Sequence, residues 1–513
     1  MRIGIDVGGT NTDAVLMDGR TIHGAVKTPT TPNVTDGIVT ALQMLVEQTK
    51  LDPADIQAVM LGTTHFTNAV VERLHLTPTA TIRLALPATE ALPPMTDWPE
   101  DLRDAIGNHY FLVRGGYEFD GRQIAPFEPM EVRHVAKQIL DRGITSVAIS
   151  CVFSPINNEQ EKQAAGIVRE VIPNAHITLS SAIGRLGLLE RENAAIINAC
   201  LSKVAERIVA GFEAALRQMN ITAPFYLSQN DGTLMVSSYA QEYPVLTFAS
   251  GPTNSMRGAA FLSGLKDALV IDVGGTTSDV GMLQNGFPRV ASQAVSIGGV
   301  RTNFRMPDVY SFGLGGGSIV CAEPVKVGPQ SVGYELVKKG MIFGGDVLTT
   351  TDVVVAAGFH EIGDCNRVRH LGNSLTEAVL DKIEDMVNVS VDRMKTSAAP
   401  IPVISVGGGS ILIVRPISGA SEIITPEHHA VANAIGAAIA QVGGEVDRVF
   451  SLEAVSREEA LNQAKAEATG KAVAAGADPA TVEVVDIEEV PLAYLPGNAT
   501  RIAVKAVGDL AMA

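Results

Sequence analysis

Apolar residues cluster at the start of the chain in RIGIDV (2–7) and again at 13–17, and both stretches read as strands joined by a glycine turn. The pattern then predicts a helix near 34–49, with Asp36 close to its start, a strand AVMLGTT (58–64) and a helix TNAVVERL (67–74). Residues 85–126 are rich in Pro, Gly and aromatics and read as an inserted loop or small subdomain. From 131 onward a helix, a strand (146–153), a helix (158–172) and a strand (176–181) alternate, as βαβ units of a mainly parallel sheet do. Residues 190–219 repeat apolar positions at spacings of three and four with no proline, predicting one uninterrupted helix whose Glu190, Arg191 and Glu192 form a charged cap. A second alternating section opens at 225–232 and runs to a strand at 401–410 and an Ala/Gly-rich helix at 430–444. The remaining 451–513 hold one helix (457–476) and about three strands, predicting a small α+β appendage. The expected divisions are therefore 1–189, 190–450 and 451–513.

One local pattern occurs twice. IDVGGTNTDAV near the start returns at 269–280 as LVIDVGGTTSDV. A single Asp-x-Gly-Gly is also what an ordinary tight turn contains. Two copies of D-V-G-G-T-x-x-D, each after an apolar strand, favour a shared chemical purpose. Gly8, Gly9, Gly274 and Gly275 let the backbone lie close against a ligand, and successive amides in such a turn form a nest for phosphate oxygens. Thr10, Asn11, Thr12, Thr276, Thr277 and Ser278 add polar groups to the same rims. Asp6 and Asp272, at the strand ends, are candidates to hold hydrated Mg²⁺, which binds through one or two carboxylates plus phosphates. Asp13 and Asp279 follow across each hairpin as second candidates for metal or water. No G-x-x-x-x-G-K-[ST] is present and no G-x-G-x-x-G follows the first strand, so neither a P-loop nor a Rossmann site is expected.

Composition narrows the class. With 513 residues, 46% hydrophobic and 19% charged, the chain is a well-packed protein of several domains. A formal net charge of −17 without any basic run argues against a nucleic-acid surface, so an anionic ligand needs a local site. The apolar stretches are broken by Pro and Gly before membrane-span length, and no membrane segment or signal peptide is expected. Cys151, Cys200, Cys321 and Cys365 are scattered, which suits buried thiols in a reducing cytoplasm.

The paired hairpins, the later strand ending in Gly407, Gly408 and Gly409, and the Ala/Gly helix resemble the actin/Hsp70/sugar-kinase ATPase superfamily. The resemblance implies a two-lobed, actin-like (ribonuclease H-like) α/β fold gripping ATP between its hairpins, with the third glycine turn near the adenosine. The helices at 190–219 and 430–444 take the place of its inter-lobe connectors. More narrowly, GTTHFTNAVVER (62–73), SQNDGTLM (228–235), SGPTNSMRGA (250–259) and FGLGGGSIV (312–320), in this order with the hairpins, are similar to the hydantoinase A/5-oxoprolinase family. That likeness implies ATP- and Mg²⁺-dependent opening of a cyclic amide such as a hydantoin or 5-oxoproline, with a hydantoinase B-type partner subunit or a homo-oligomer. Asp6, Asp272, Asp13 and Asp279 are then the candidate catalytic residues.

Other residues are open to two readings. Thr64 and His65 end a strand, where open α/β sheets contact ligands, although His65 also suits a helix start satisfied by local hydrogen bonds. Asp308 precedes the glycine-rich loop 313–318, which suits an approach to nucleotide or substrate. His428 and His429 beside Glu427 read as a solvated helix start rather than a metal site. A small-molecule kinase and an ATPase that activates a partner protein remain as rival functions.

Overall fold

The computed structural model describes residues 1–30, 34–291, 294–453, 455–493, 495 and 497–511. The chain begins with β1 (Arg2–Val7), β2 (Asn11–Asp18), β3 (Thr21–Pro29), α1 (Val34–Thr49), β4 (Ala58–Thr63) and α2 (His65–Val71). Next comes a βα unit of β5 (Thr79–Leu86), α3 (Glu100–Ile106), β6 (His109–Arg114), α4 (Pro129–Asp141), β7 (Ser146–Cys151), α5 (Glu159–Val171) and β8 (His176–Leu179). Helices α6 (Leu188–Cys200) and α7 (Ser202–Gln218) lead to β9 (Phe225–Ser228), β10 (Thr233–Val236) and α8 (Ser237–Glu242). Helix α9 (Ser250–Ser263) then crosses to β11 (Ala268–Val273), β12 (Ser278–Gln284) and β13 (Phe287–Pro288). The second half continues through β14 (Val295–Ile297), β15 (Val300–Thr302), β16 (Val309–Phe312), β17 (Ser318–Ala322) and β18 (Val325–Ser331). It ends with α10 (Leu336–Lys339), α11 (Thr350–Ala356), α12 (Asn373–Met394), β19 (Ile401–Val406), β20 (Ala420–Ile424) and α13 (Ala432–Ala438). Last are β21 (Gln441–Ser451), α14 (Arg457–Ala474), β22 (Glu483–Pro491) and β23 (Ala499–Gly508).

The duplication seen in the sequence is a duplication of topology. In the first lobe the strands run β3-β2-β1-β4-β9, with the first three antiparallel and β4 and β9 parallel to β1. In the second lobe β13-β12-β11-β19-β20 repeats the same order and the same directions. This is the ribonuclease H-like unit twice, the two-lobed α/β fold of the actin-like ATPases. Apolar strands such as β4, buried at every position, sit between helices on both faces. Each lobe has its own core, and the strap β14–β15 reaches back so that Ile297, Val300, Phe304 and Met306 join the core of the first lobe.

Several expectations are corrected. The helix at 190–219 breaks at Leu201, because the Cys200 carbonyl accepts from the Thr77 amide (2.7 Å) instead of continuing the helical ladder. Its two pieces pack within the first lobe, and the crossing between lobes is made by α9 and α13. The expected helix at 430–444 stops at Ala438 and turns into β21, where a side chain on Gly444 would strike the backbone of α14. Residues 451–513 are not an appendage, since β21, β22 and β23 join β10 and extend the first sheet to nine strands. Their helix α14 fits because Ala460, Ala464, Ala468 and Ala472 face that sheet at four-residue spacing. Finally, Arg191 and Glu192 are no solvated cap. Arg191 donates to the carbonyls of Arg185, Leu186 and Cys151, and Glu192 accepts from buried Arg83. The segment 85–126 contains α3 and β6 of the βα unit. Cys151 and Cys200 are buried, but Cys321 is exposed and Cys365 is partly so. Among the described residues no helix is long and apolar enough to cross a membrane.

Candidate functional site

The two glycine hairpins face each other across a cleft of about 710 Å³. Each turn closes in the same way, with Gly8 donating to the Asn11 carbonyl (3.0 Å) and Gly274 to that of Thr277 (2.9 Å). The amides of Gly9, Thr10, Gly275 and Thr276 are left without a backbone acceptor among the described residues. A Cβ on Gly275 would lie 3.2 Å from the Thr10 methyl, so the lobes meet at the tips of their hairpins.

Most of the expected cofactor residues line this cleft: Gly8 to Asn11, Gly274 to Thr277, and Gly407, Gly408 and Gly409. Two do not. Thr12 is fully buried behind its turn, and the Ser278 hydroxyl donates to the Leu314 carbonyl (2.7 Å). That bond, with Gly316 and Gly317 donating to the carbonyls of Gly274 and Gly275 (3.0 and 2.7 Å), makes the glycine-rich loop 313–318 a buttress for the second hairpin. Gly407 takes φ +88°, and any side chain there would strike Asp272 Oδ1 at 2.3 Å. Away from the hairpins the cleft acquires an apolar wall from Leu336, Val337, Phe343, Ile362 and Ile411. Its two ends thus differ in chemistry: backbone amides at one and hydrocarbon at the other.

Four carboxylates surround the amide end. Across each hairpin Asp6 is paired with Asp13 and Asp272 with Asp279, so each pair shares a sheet face. Asp13 and Asp272 line the cleft, while Asp6 and Asp279 stand behind them. Asp13 is held by Lys27 Nζ through both oxygens (2.6 and 2.7 Å). Asp6 Oδ2 accepts from Asn433 (2.8 Å), Asp272 Oδ2 accepts from the Ser255 hydroxyl (2.5 Å), and Asp279 accepts from Ser311. Burial, with repulsion from Asp13 and Asp272, pushes Asp6 up to about 7. Burial and then the Asp272 charge push Asp279 up to about 6 despite Ser311. Asp272 is raised by burial as well, and Asp13 remains raised by burial even beside Lys27.

These residues fit a hydrated divalent cation shared with phosphates, because Asp6 Oδ1 is buried with no hydrogen-bond partner and carboxylates this crowded favour a positive neighbour. They do not form a closed protein cage. Among the described residues no group of three His, Cys, Asp or Glu is placed to hold a bare ion. Accordingly His429 bonds Ser410 through Nδ1 (2.9 Å), and His428 lies 3.9 Å from Glu427.

The expected substrate residues are not brought together. Thr64 opens α2, and its amide points at the Val7 carbonyl (3.4 Å). The ring of His65 bonds the Thr63 hydroxyl (2.7 Å) and borders a separate open groove with Asn68 and Arg207. Burial and the Arg207 charge lower its pKa. Asp308 forms an ion pair with Arg289 (2.6 Å) outside the cleft. Residues that pattern reasoning missed are Lys27, Ser255, Asn433 and the wall around Phe343. Lys27 alone carried a local signal, as a cation on the strand next to Asp13.

The pattern of the hydantoinase/oxoprolinase N-terminal region matches residues 2–172, and that of hydantoinase/oxoprolinase matches residues 191–392. Caprolactamase subunit alpha of Pseudomonas jessenii is 25% identical over 430 residues, which cover 76% of this chain and 60% of that one. The gamma subunit of acetophenone carboxylase of Aromatoleum aromaticum is 26% identical, covering 70% of this chain and 53% of its own length. The chain therefore spans less than two thirds of the length of these curated relatives. The crystal structure of ATP-dependent caprolactamase from Pseudomonas jessenii superposes with a TM-score of 0.79 at 18% identity, covering 100% of this chain and 88% of that one.

Proposed function

As the chain belongs to the hydantoinase/oxoprolinase family, we propose that it binds ATP between its glycine hairpins and uses it to open a cyclic amide: a hydantoin, 5-oxoproline or a related lactam. The observation that carries this reading is the pair of matching amide nests facing one cleft, lined as well by Lys27 and by an apolar wall. Two lobes that meet at their hairpin tips exclude water from the γ-phosphate and align it. The amide oxygen forms a bond to the γ-phosphorus as the bridging P–O bond breaks and ADP departs. Water then adds to the activated carbon, the ring C–N bond breaks with the nitrogen taking a proton, and a second water hydrolyses the acyl phosphate. Catalysis of the first step rests on positioning and on neutralising the phosphate charge through backbone amides and Lys27.

Asp6 and Asp272 are the residues that would hold magnesium, which supplies further charge neutralisation at the phosphates. The hydrolytic half is assigned to a B-type partner subunit. The ring-contacting candidate is Thr64, at the strand end beside the first hairpin. The test is ATP hydrolysis against a panel of hydantoins, 5-oxoproline and simple lactams, with and without a B-type subunit. Stimulation by one ring, with its consumption, is the expected result. No stimulation by any ring overturns the reading, and a stable phosphorylated product would make the protein a kinase.

A further inference from the structure

Helix α9 carries two adjacent residues that face different lobes. The Ser255 hydroxyl donates to Asp272 Oδ2 of the second lobe at 2.5 Å. Asn254, fully buried, has neither amide atom hydrogen-bonded among the described residues. A Cβ placed on Gly62 of β4 would lie 2.5 Å from Asn254 Nδ2 and 2.4 Å from Asp6 Oδ1, so these two atoms flank one small space in the first lobe. Asp6 Oδ1 is itself buried without a partner. A buried amide and a buried carboxylate oxygen left open side by side are costly, and native proteins retain such groups where function uses them.

The helix that bears them is seated with little freedom. Side chains on Gly258 of α9 or Gly436 of α13 would meet the opposite backbone at 1.9 and 1.8 Å, so the two crossing helices touch main chain to main chain. Helix α13 supplies Asn433, which holds the other oxygen of Asp6. The N-terminal Ser250 of α9 bonds the backbone of Thr63 at the end of β4. One rigid crossing therefore addresses the carboxylate of each lobe, through Asn433 to Asp6 and through Ser255 to Asp272.

We propose that Asn254 and Ser255 are positioning residues that set Asp6 and Asp272 against one shared cation, so that the crossing of α9 and α13 couples the two halves of the metal–phosphate site. This rests on the nucleotide reading of the cleft given above. The coupling acts on the increment that metal adds to nucleotide binding, because Asn254 is not among the residues lining the cleft and the Ser255 hydroxyl is engaged by Asp272.

The experiment is titration calorimetry of ADP, with EDTA and with MgCl₂, on the wild type, Asn254→Ala and Ser255→Ala, each checked by thermal melting. In EDTA Asn254→Ala is expected to bind ADP within about threefold of wild type, since Asn254 is not among the residues that line the cleft. Ser255 does line it, so its variant is read by the ratio of ADP affinities with and without magnesium. The strengthening produced by magnesium is expected to fall by about tenfold, the loss of one charge-assisted hydrogen bond. Should Asn254→Ala fail to fold, Ser255→Ala, which removes only a hydroxyl, carries the comparison through the ratio of its ADP affinities with and without magnesium. A magnesium increment within twofold of wild type overturns the proposal, as does an equal loss of affinity with and without metal. Wild-type protein that binds no ADP in either buffer defeats the nucleotide reading instead.

Discussion

The two hairpins share sequence, register and turn geometry, yet the carboxylates that frame them are handled differently. In the first, the residue after the turn, Asp13, enters the cleft and is neutralised by Lys27. In the second, the residue before the turn, Asp272, enters the cleft with a hydroxyl as its hydrogen-bond partner and no ion pair among the described residues, and Asp279 stands behind on Ser311. Backing differs as well, for the second turn is braced by a glycine loop and the first by Thr30, which donates to the Gly8 carbonyl (2.7 Å). Duplication thus preserved the amide nests, whose geometry a phosphate dictates, and left side-chain charge free to diverge. One lobe supplies a compensated acid and a cation, and the other supplies an acid that still needs a cation.

The largest test of this difference is Asp272→Asn. Removing the uncompensated carboxylate is expected to lower ATP turnover by roughly 10²–10³-fold, the scale on which preorganised charge acts in such sites. Turnover near wild type would dissolve the distinction. Lys27→Met comes next and is expected to destabilise the protein by about 3 kcal/mol in a urea titration, because buried Asp13 loses the cation that pairs with it. The corresponding change on the other hairpin, Ser311→Ala, is expected to cost about 1 kcal/mol, a single hydrogen bond near the surface. Equal costs would mean that the hairpins are compensated alike.

A pH series sharpens the same point. A carboxylate whose folded pKa is raised holds its proton more tightly when folded, so its contribution to stability is complete below the unfolded value and lost as pH rises through the folded one. For Asp6 that window runs from about 4 to about 7. The urea midpoint of nucleotide-free protein is expected to be lower at pH 8 than at pH 5, and Asp6→Asn is expected to flatten this slope. The smallest effect is expected from Asp279→Asn, with turnover within about threefold of wild type, since Ser311 already occupies that carboxylate away from the cleft.

The parts of this site written locally were legible. An apolar strand, two glycines and a run of hydroxyl residues define each nest within a dozen positions, and the order of the later motifs identified the family. What escaped was set by partners distant in the chain. Asn433 reaches Asp6, and Ser255 reaches Asp272, only after two helices have crossed. Thr12 and Ser278 carry the right chemistry, but strand alternation turns them inward. The break at Leu201 depends on Thr77, and the placement of β21 to β23 depends on β10, so the periodicity of each segment alone contains neither.

That last placement has a consequence for how the protein is made. The second lobe's sheet lies within residues 268–424, so it is complete while the ribosome is still translating β21 to β23. The first sheet contains β1, translated before every strand of the second sheet, together with those three late strands. The free side of β10 must wait for them, exposing an unpaired strand edge throughout synthesis. The lobe begun first is therefore the lobe finished last, and it is the one whose nascent form most needs shielding from other chains.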